Sequence, residues 1–143
     1  MSTVRLALAN LPFADTPDDA VVRTVQAIAD AGRAGARVVC FPENYLPGYR
    51  TASRGMAPPT AAYLEDAWRR VAAAAKQAAI TAVVGTERIV AGRHRISTLV
   101  VNADGTIAGF HDKVQLDPSE EATWAPGTER HVYTAGTLTF GLS

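Results

Sequence analysis

Apolar residues fall along the chain in short continuous runs, separated early on by two stretches of helical period, and this order predicts an α/β fold. Residues 4–9 (Val-Arg-Leu-Ala-Leu-Ala) predict a first strand that Asn10, Leu11 and Pro12 end. Thr16, Pro17, Asp18 and Asp19 then mark a helix start: an N-cap hydroxyl, a proline in the first turn where its missing N–H costs nothing, and two acids at the positive helix end. Val21, Val25, Ile28 and Ala29 recur at helical spacing, and Gly32 with Gly35 offers a stop. Residues 37–41 follow as a second strand, and the unbroken apolar run at 38–41 suits a strand covered on both faces. A strand, helix, strand unit makes the two strands parallel, with a right-handed crossover.

Residues 44–59 are rich in Pro, Gly and small polar residues and predict a long loop over the strand mouth, the kind of loop that is usually functional or mobile. A second helix spans about residues 60–79, with Leu64, Trp68, Val71, Ala75 and Ala78 on one face and Glu65, Arg69, Arg70 and Lys76 toward water. Trp68 reads as core packing. Residues 80–85 predict a third buried strand that ends at Thr86 and Glu87, on the same mouth as Glu43. The pattern then changes: residues 95–102 and 106–114 are strand candidates joined through Ala103, Asp104 and Gly105, a hairpin signal. A last pair of short strands is expected at 131–133 and 137–143 around Ala135 and Gly136, with Leu138, Phe140 and Leu142 on one face. The expected whole is one α/β domain over residues 1–143, with a mixed parallel and antiparallel sheet and two main helices.

Composition narrows the function classes. Fourteen basic and fourteen acidic residues balance, so no net field draws the chain to nucleic acid or to an anionic membrane. A single cysteine, Cys40, allows no internal disulfide and no thiolate metal cluster, and it fits a reducing compartment. The first residues lack a basic region followed by a long apolar run, and no apolar window is long enough to span a bilayer, so a cytoplasmic location is the expectation. Twelve of the fourteen basic residues are Arg, which singles out the two lysines, Lys76 and Lys113, as places where a compact, tunable ammonium is wanted.

The candidate chemistry begins at Glu43. Pro42 cannot donate to a ladder, so pairing should stop there and leave Glu43 where strand gives way to loop, at the mouth where open α/β sheets bind ligands. The following Leu46, Pro47, Gly48, Tyr49 and Arg50 suggest a pocket wall, with Tyr49 and Arg50 as substrate contacts. Cys40 lies three residues before Glu43, so an extended strand turns the two side chains to opposite faces, and its apolar neighbours mark it as a buried, inert thiol. His94, His111 and His131 have no metal-ligand spacing, and the pair His111 and Asp112 reads as surface polarity. No phosphate-cradling glycine loop follows any strand, and no cofactor or metal is implied.

Taken together, Phe41, Pro42 and Glu43, then Asp112, Lys113 and Val114, then Glu120 four residues before Trp124, with Pro126 and Gly127, and finally residues 138–143 (Leu-Thr-Phe-Gly-Leu-Ser), resemble the nitrilase superfamily of carbon–nitrogen hydrolases along the whole chain. The resemblance implies half of an α-β-β-α sandwich and catalysis by a Glu, a Lys and a Cys, often with a second Glu. Matching the motifs places the first Glu at Glu43, the Lys at Lys113 and the second Glu at Glu120. The family's cysteine follows shortly after a strand resembling 139–143, so the chain is expected to be the N-terminal portion of such an enzyme, inactive by itself. A small amide, carbamoyl compound or nitrile is the implied substrate, and the family commonly dimerises through its helices.

Those residue types belong together chemically. Covalent attack on an amide or nitrile carbon needs a thiolate, and a free thiol is mostly protonated at neutral pH, so a base beside it must take the proton. Glu43 in a dry strand end suits that task and the later return of the proton to the departing nitrogen. Lys113 places positive charge where the intermediate gathers negative charge, and Glu120 orients Lys113 or the attacking water. The bland reading makes Glu43 and Lys113 a simple ion pair, and Glu120 and Glu121 a solvated turn. Two other function classes compete: a noncatalytic binding or assembly module, including one half of a split enzyme that pairs with a complementing C-terminal half, and a nucleotide-binding domain, which the missing glycine loop disfavours.

Overall fold

The computed structural model describes residues 3–50 and 55–143. Residues 51–54, inside the predicted long loop, and residues 1–2 lie outside the described residues. In chain order the elements are β1 (Leu6–Leu8), α1 (Pro17–Arg33), β2 (Val38–Cys40), α2 (Ala61–Ala78), β3 (Thr81–Val90), β4 (Arg93–Val101), β5 (Ile107–Asp112), β6 (Val132–Ala135) and β7 (Leu138–Gly141). β1 to β5 form one sheet in sequence order, and β6 and β7 form a separate hairpin. β1, β2 and β3 run parallel, while β3–β4 and β4–β5 are antiparallel, which is the mixed α/β arrangement expected.

Local chemistry accounts for the helix limits. Thr16 Oγ1 accepts from the Asp19 N–H at 3.1 Å at the start of α1, and Thr60 Oγ1 accepts from the Tyr63 N–H at 3.2 Å at the start of α2. Gly32 was expected with Gly35 as the stop of α1, yet it stays inside the helix. Its role is close approach: a Cβ there would sit 2.9 Å from the Ala78 Cβ of α2. α1 and α2 pack together, and their apolar faces (Val21, Ile28, Val71, Ala75) meet sheet residues of one parity, Val39, Ala82, Val84, Leu99 and Val101, in a single core. Among the described residues no helix is long and apolar enough to cross a membrane.

The largest departure from expectation is β3. It was expected to end at Gly85; it continues to Val90 and returns directly as β4 through Ala91 and Gly92, both at positive φ (49° and 74°). That is the backbone a two-residue hairpin turn needs, carried here by Ala-Gly where Asn-Gly is the usual signal. The longer strand changes what Glu87 is. It becomes a residue in mid-sheet, fully buried, rather than an acid at the sheet mouth.

Candidate active site

Glu43 sits in the turn after β2. The Phe41 N–H still pairs with the Val83 carbonyl at 2.9 Å, and the chain then bends over β3 until the Leu46 N–H reaches the Gly85 carbonyl at 3.0 Å and the Glu87 N–H reaches the Leu46 carbonyl at 2.9 Å. The crossing is possible because residue 85 is a glycine: a Cβ there would overlap the Pro42 carbonyl oxygen and lie 2.5 Å from the Asn44 nitrogen. Asn44 takes a left-handed φ of 53° to complete the bend. Sequence reasoning missed Gly85, although a glycine inside an apolar strand is a recognised sign of close backbone approach.

Lys113 follows the last residue of β5, where its N–H pairs with the Ile96 carbonyl and its carbonyl receives the Gly127 N–H, both at 2.8 Å. Through Ile96, Lys113 lies in one row across the sheet with Glu87, on the face opposite the helices. Its ammonium is 3.1 Å from Glu43 Oε2 and 3.0 Å from Glu120 Oε2, and it donates to both carboxylates. The two groups drawn from 70 positions apart in the chain are therefore in contact, with a second acid behind them. Glu120 stands in a turn that its own backbone closes, its carbonyl accepting from the Thr123 and Trp124 N–H groups at 2.9 Å. Its carboxylate also accepts from the Tyr49 hydroxyl at 2.6 Å and from the Asp117 N–H at 2.8 Å.

These contacts set the charges. Burial works against the ammonium of Lys113, but hydrogen bonds from it to Glu120 and Glu43 outweigh that, and its pKa stands above the ordinary lysine value. Burial likewise opposes the charge on Glu120; the Tyr49 hydroxyl, the Asp117 N–H and Lys113 together hold its carboxyl below the ordinary range. The Tyr49 phenol is pushed up, first because its proton is held by the Glu120 carboxylate. Glu43 departs from the dry setting expected of it: it lies in the turn after β2 and its side chain is 48% exposed. Glu43 and Lys113 line a cavity of about 190 Å³ with Phe41, Thr98, His111 and Ser143. Cys40 is not among its lining residues, and burial pushes its thiol up, away from thiolate.

Of the two residues expected to touch substrate, Tyr49 lies at the cluster, on Glu120. Arg50 does not join it. Its guanidinium forms a two-point pair with the buried Glu87 at 2.6 and 2.8 Å, with His94 Nδ1 3.1 Å from the same carboxylate, and lies 5.2 Å from the Trp124 ring centre. The Tyr49 ring lies 5.8 Å from the same Trp124 ring, tilted by 37°. The two neighbours thus clasp the loop after Glu43 to the turn that carries Glu120.

His111 and Asp112 are also not the exposed polar pair expected; they are 4% and 6% exposed. Asp112 points to the helix face, where Arg88, Arg95 and Ser97 all donate to it at 2.6–2.7 Å, and this anchors the strand end whose next residue is Lys113. Burial opposes its charge, and the Arg88, Ser97 and Arg95 hydrogen bonds more than compensate, so its carboxyl lies below the ordinary value of 3.8. Asp112 and Glu87 escaped sequence reasoning because each partner lies on another strand or loop.

The two-helix, mixed-sheet α/β unit that carries this cluster has counterparts of the same fold among solved structures. A mutant of the Nesterenkonia AN1 amidase from the nitrilase superfamily superimposes with a TM-score of 0.85 over 98% of this chain and 55% of its own, at 24% identity, which is a likeness of fold. The family model described as carbon-nitrogen hydrolase matches residues 5–142, and the chain belongs to that family. It is 30% identical over 119 residues to a nitrilase from Penicillium rubens, covering 75% of this chain and 36% of the relative. It is also 30% identical over 120 residues to an aliphatic nitrilase from Rhodococcus rhodochrous, covering 75% of this chain and 33% of that one. The chain thus spans about a third of the length of these relatives.

Proposed function

We propose that the chain is the N-terminal portion of a hydrolase that cleaves a non-peptide C–N bond in a small amide, carbamoyl compound or nitrile. The observation that carries this is the Lys113 ammonium, within 3.1 Å of Glu43 and 3.0 Å of Glu120 beside a cavity that Ser143 also lines. In this reading a thiol supplied from outside these 143 residues attacks the carbonyl or nitrile carbon from the Ser143 side. Glu43 takes its proton as the S–C bond forms. The electron pair displaced onto oxygen or nitrogen develops next to Lys113, which is already charged and already placed. For an amide, Glu43 then returns the proton to the leaving nitrogen and water cleaves the resulting thioester; for a nitrile, attack gives a thioimidate, which takes up one water before ammonia leaves and a second water cleaves the thioester. Glu120 holds Lys113 in line.

Exposed apolar side chains support the reading as part of a larger assembly. Leu8 on β1 and Val132 on β6 are 80% and 70% exposed, apolar surface that a covering segment would bury. Two separate chains that complete one site would bury such side chains equally.

The test is ammonia release from small amides and nitriles. The 143-residue chain alone should release none. Coexpression with the C-terminal part of a related nitrilase that carries a cysteine should restore turnover, and thiol alkylation or Glu43→Gln should abolish it. Ammonia release by the chain alone that survives alkylation would overturn the proposal.

A further inference from the structure

Glu120 does not stand on the sheet. It belongs to a turn beyond β5, so the direction of its carboxylate depends on what holds the two oxygens. The Asp117 N–H holds Oε2 at 2.8 Å from within that turn, and the Tyr49 hydroxyl holds Oε1 at 2.6 Å from the loop after Glu43. With each oxygen fixed by a different element the carboxylate cannot rotate, and the Lys113 ammonium, 3.0 Å from both oxygens, meets it in one orientation. A phenol has a single proton, and that of Tyr49 is committed to Glu120, so the hydroxyl has none to donate to a substrate. Ring packing explains only part of the residue. The contact with Trp124 calls for an aromatic side chain at position 49, and Phe would supply it without the hydroxyl.

We infer that Tyr49 is a positioning residue of the reacting pair: its hydroxyl fixes the Glu120 carboxylate and, through it, the place of Lys113 between Glu120 and Glu43. This rests on the proposed reading of Glu43 and Lys113 as that pair. Charge follows the same geometry. Burial opposes the charge on Glu120, and the Tyr49 hydroxyl leads the contacts that outweigh it, so removing the hydroxyl moves the balance toward the neutral acid. A neutral Glu120 leaves Glu43 as the carboxylate that must neutralise the ammonium, and a base drawn into a full ion pair accepts a proton less readily. Tyr49 thereby keeps one acid for the ammonium and leaves the other for the proton. The loop holds Tyr49 in reach, since the next residue, Arg50, is tied to the buried Glu87 at 2.6 and 2.8 Å.

The experiment follows the 143-residue chain by NMR through an acid titration. The carboxyl carbons of Glu43, Asp117 and Glu120, the acids that act on Lys113, are read one by one beside the Lys113 side-chain and Tyr49 ring signals. In the parent chain the Lys113 and Tyr49 signals should both step at the Glu120 midpoint. Tyr49→Phe keeps the ring against Trp124; it should raise the Glu120 midpoint and carry the Lys113 step with it. A Glu120 midpoint that stays in place in Tyr49→Phe, or one that rises while the Lys113 step does not follow, overturns the inference and leaves the proposed function standing. Should the variant not fold, the parent titration still decides: Tyr49 ring signals that pass the Glu120 midpoint without a step overturn the inference. A Lys113 signal that answers neither Glu120 nor Glu43 overturns both, because the ammonium is then shared by neither acid.

Discussion

At the scale of single residues, the position of Glu43 depends on an atom that is missing from the residue beneath it. β3 passes under the Pro42 to Asn44 bend with no room for a Cβ at Gly85. Gly85→Ala should therefore cost about 1–3 kcal/mol in urea unfolding, the usual penalty for overpacking a closed site, and should loosen the Glu43 to Lys113 contact. Unchanged stability would mean that the bend and the strand are not in contact. Glu43 and Lys113 were legible in the sequence because Glu43 follows an apolar run closed by Pro42, Lys113 falls toward the end of a returning strand, and each matches a family motif. Gly85 reads in sequence as the end of a strand: in one dimension a glycine that admits a crossing chain looks the same as one that ends a run. The bond from Tyr49 to Glu120 was invisible for a different reason, since its two ends lie 71 positions apart and no local pattern records that.

At the scale of elements, two buried ion clusters hold the loops and strand ends that carry the site. Arg50 and Glu87 fasten the loop after Glu43 to β3, with side chains 9% and 0% exposed. Glu87→Gln should destabilise the chain by about 3–5 kcal/mol, because it leaves the Arg50 guanidinium buried without its charge partner. Thermal unfolding monitored by circular dichroism would show this, and a loss below about 1 kcal/mol would count against the clasp. Asp112 fastens the end of β5. Because its folded pKa lies below its unfolded one, the unfolded state binds the proton first as pH falls. Its contribution is present above about pH 4 and is lost as pH drops from there through the folded value. Asp112→Asn should therefore lower stability at neutral pH and flatten the acid limb of the stability curve; an acid limb parallel to that of the parent would refute this role. The Thr16 N-cap, the β2 strand and the β4–β5 hairpin were readable because their signals are local. The β3–β4 hairpin was not, since Ala91 carries no turn preference and only the register of the long strands forces it to positive φ.

At the scale of the whole molecule, the α/β class, the two helices and the mixed sheet followed from the order of apolar runs. The convergence of Glu43, Lys113 and Glu120 followed only from the family resemblance. Alternation puts Lys113 on the face away from the helices, but nothing in spacing alone says that a turn seven residues later folds back to meet it. The account turns on that meeting: one ammonium shared by two carboxylates. The chain has only two lysines, Lys76 and Lys113, so the side-chain carbon signals next to their amines can be followed one by one through a pH titration by NMR. Since both acids raise the Lys113 pKa, its midpoint should fall in Glu43→Gln and fall again in Glu120→Gln. A Lys113 midpoint that neither substitution moves would contradict the arrangement.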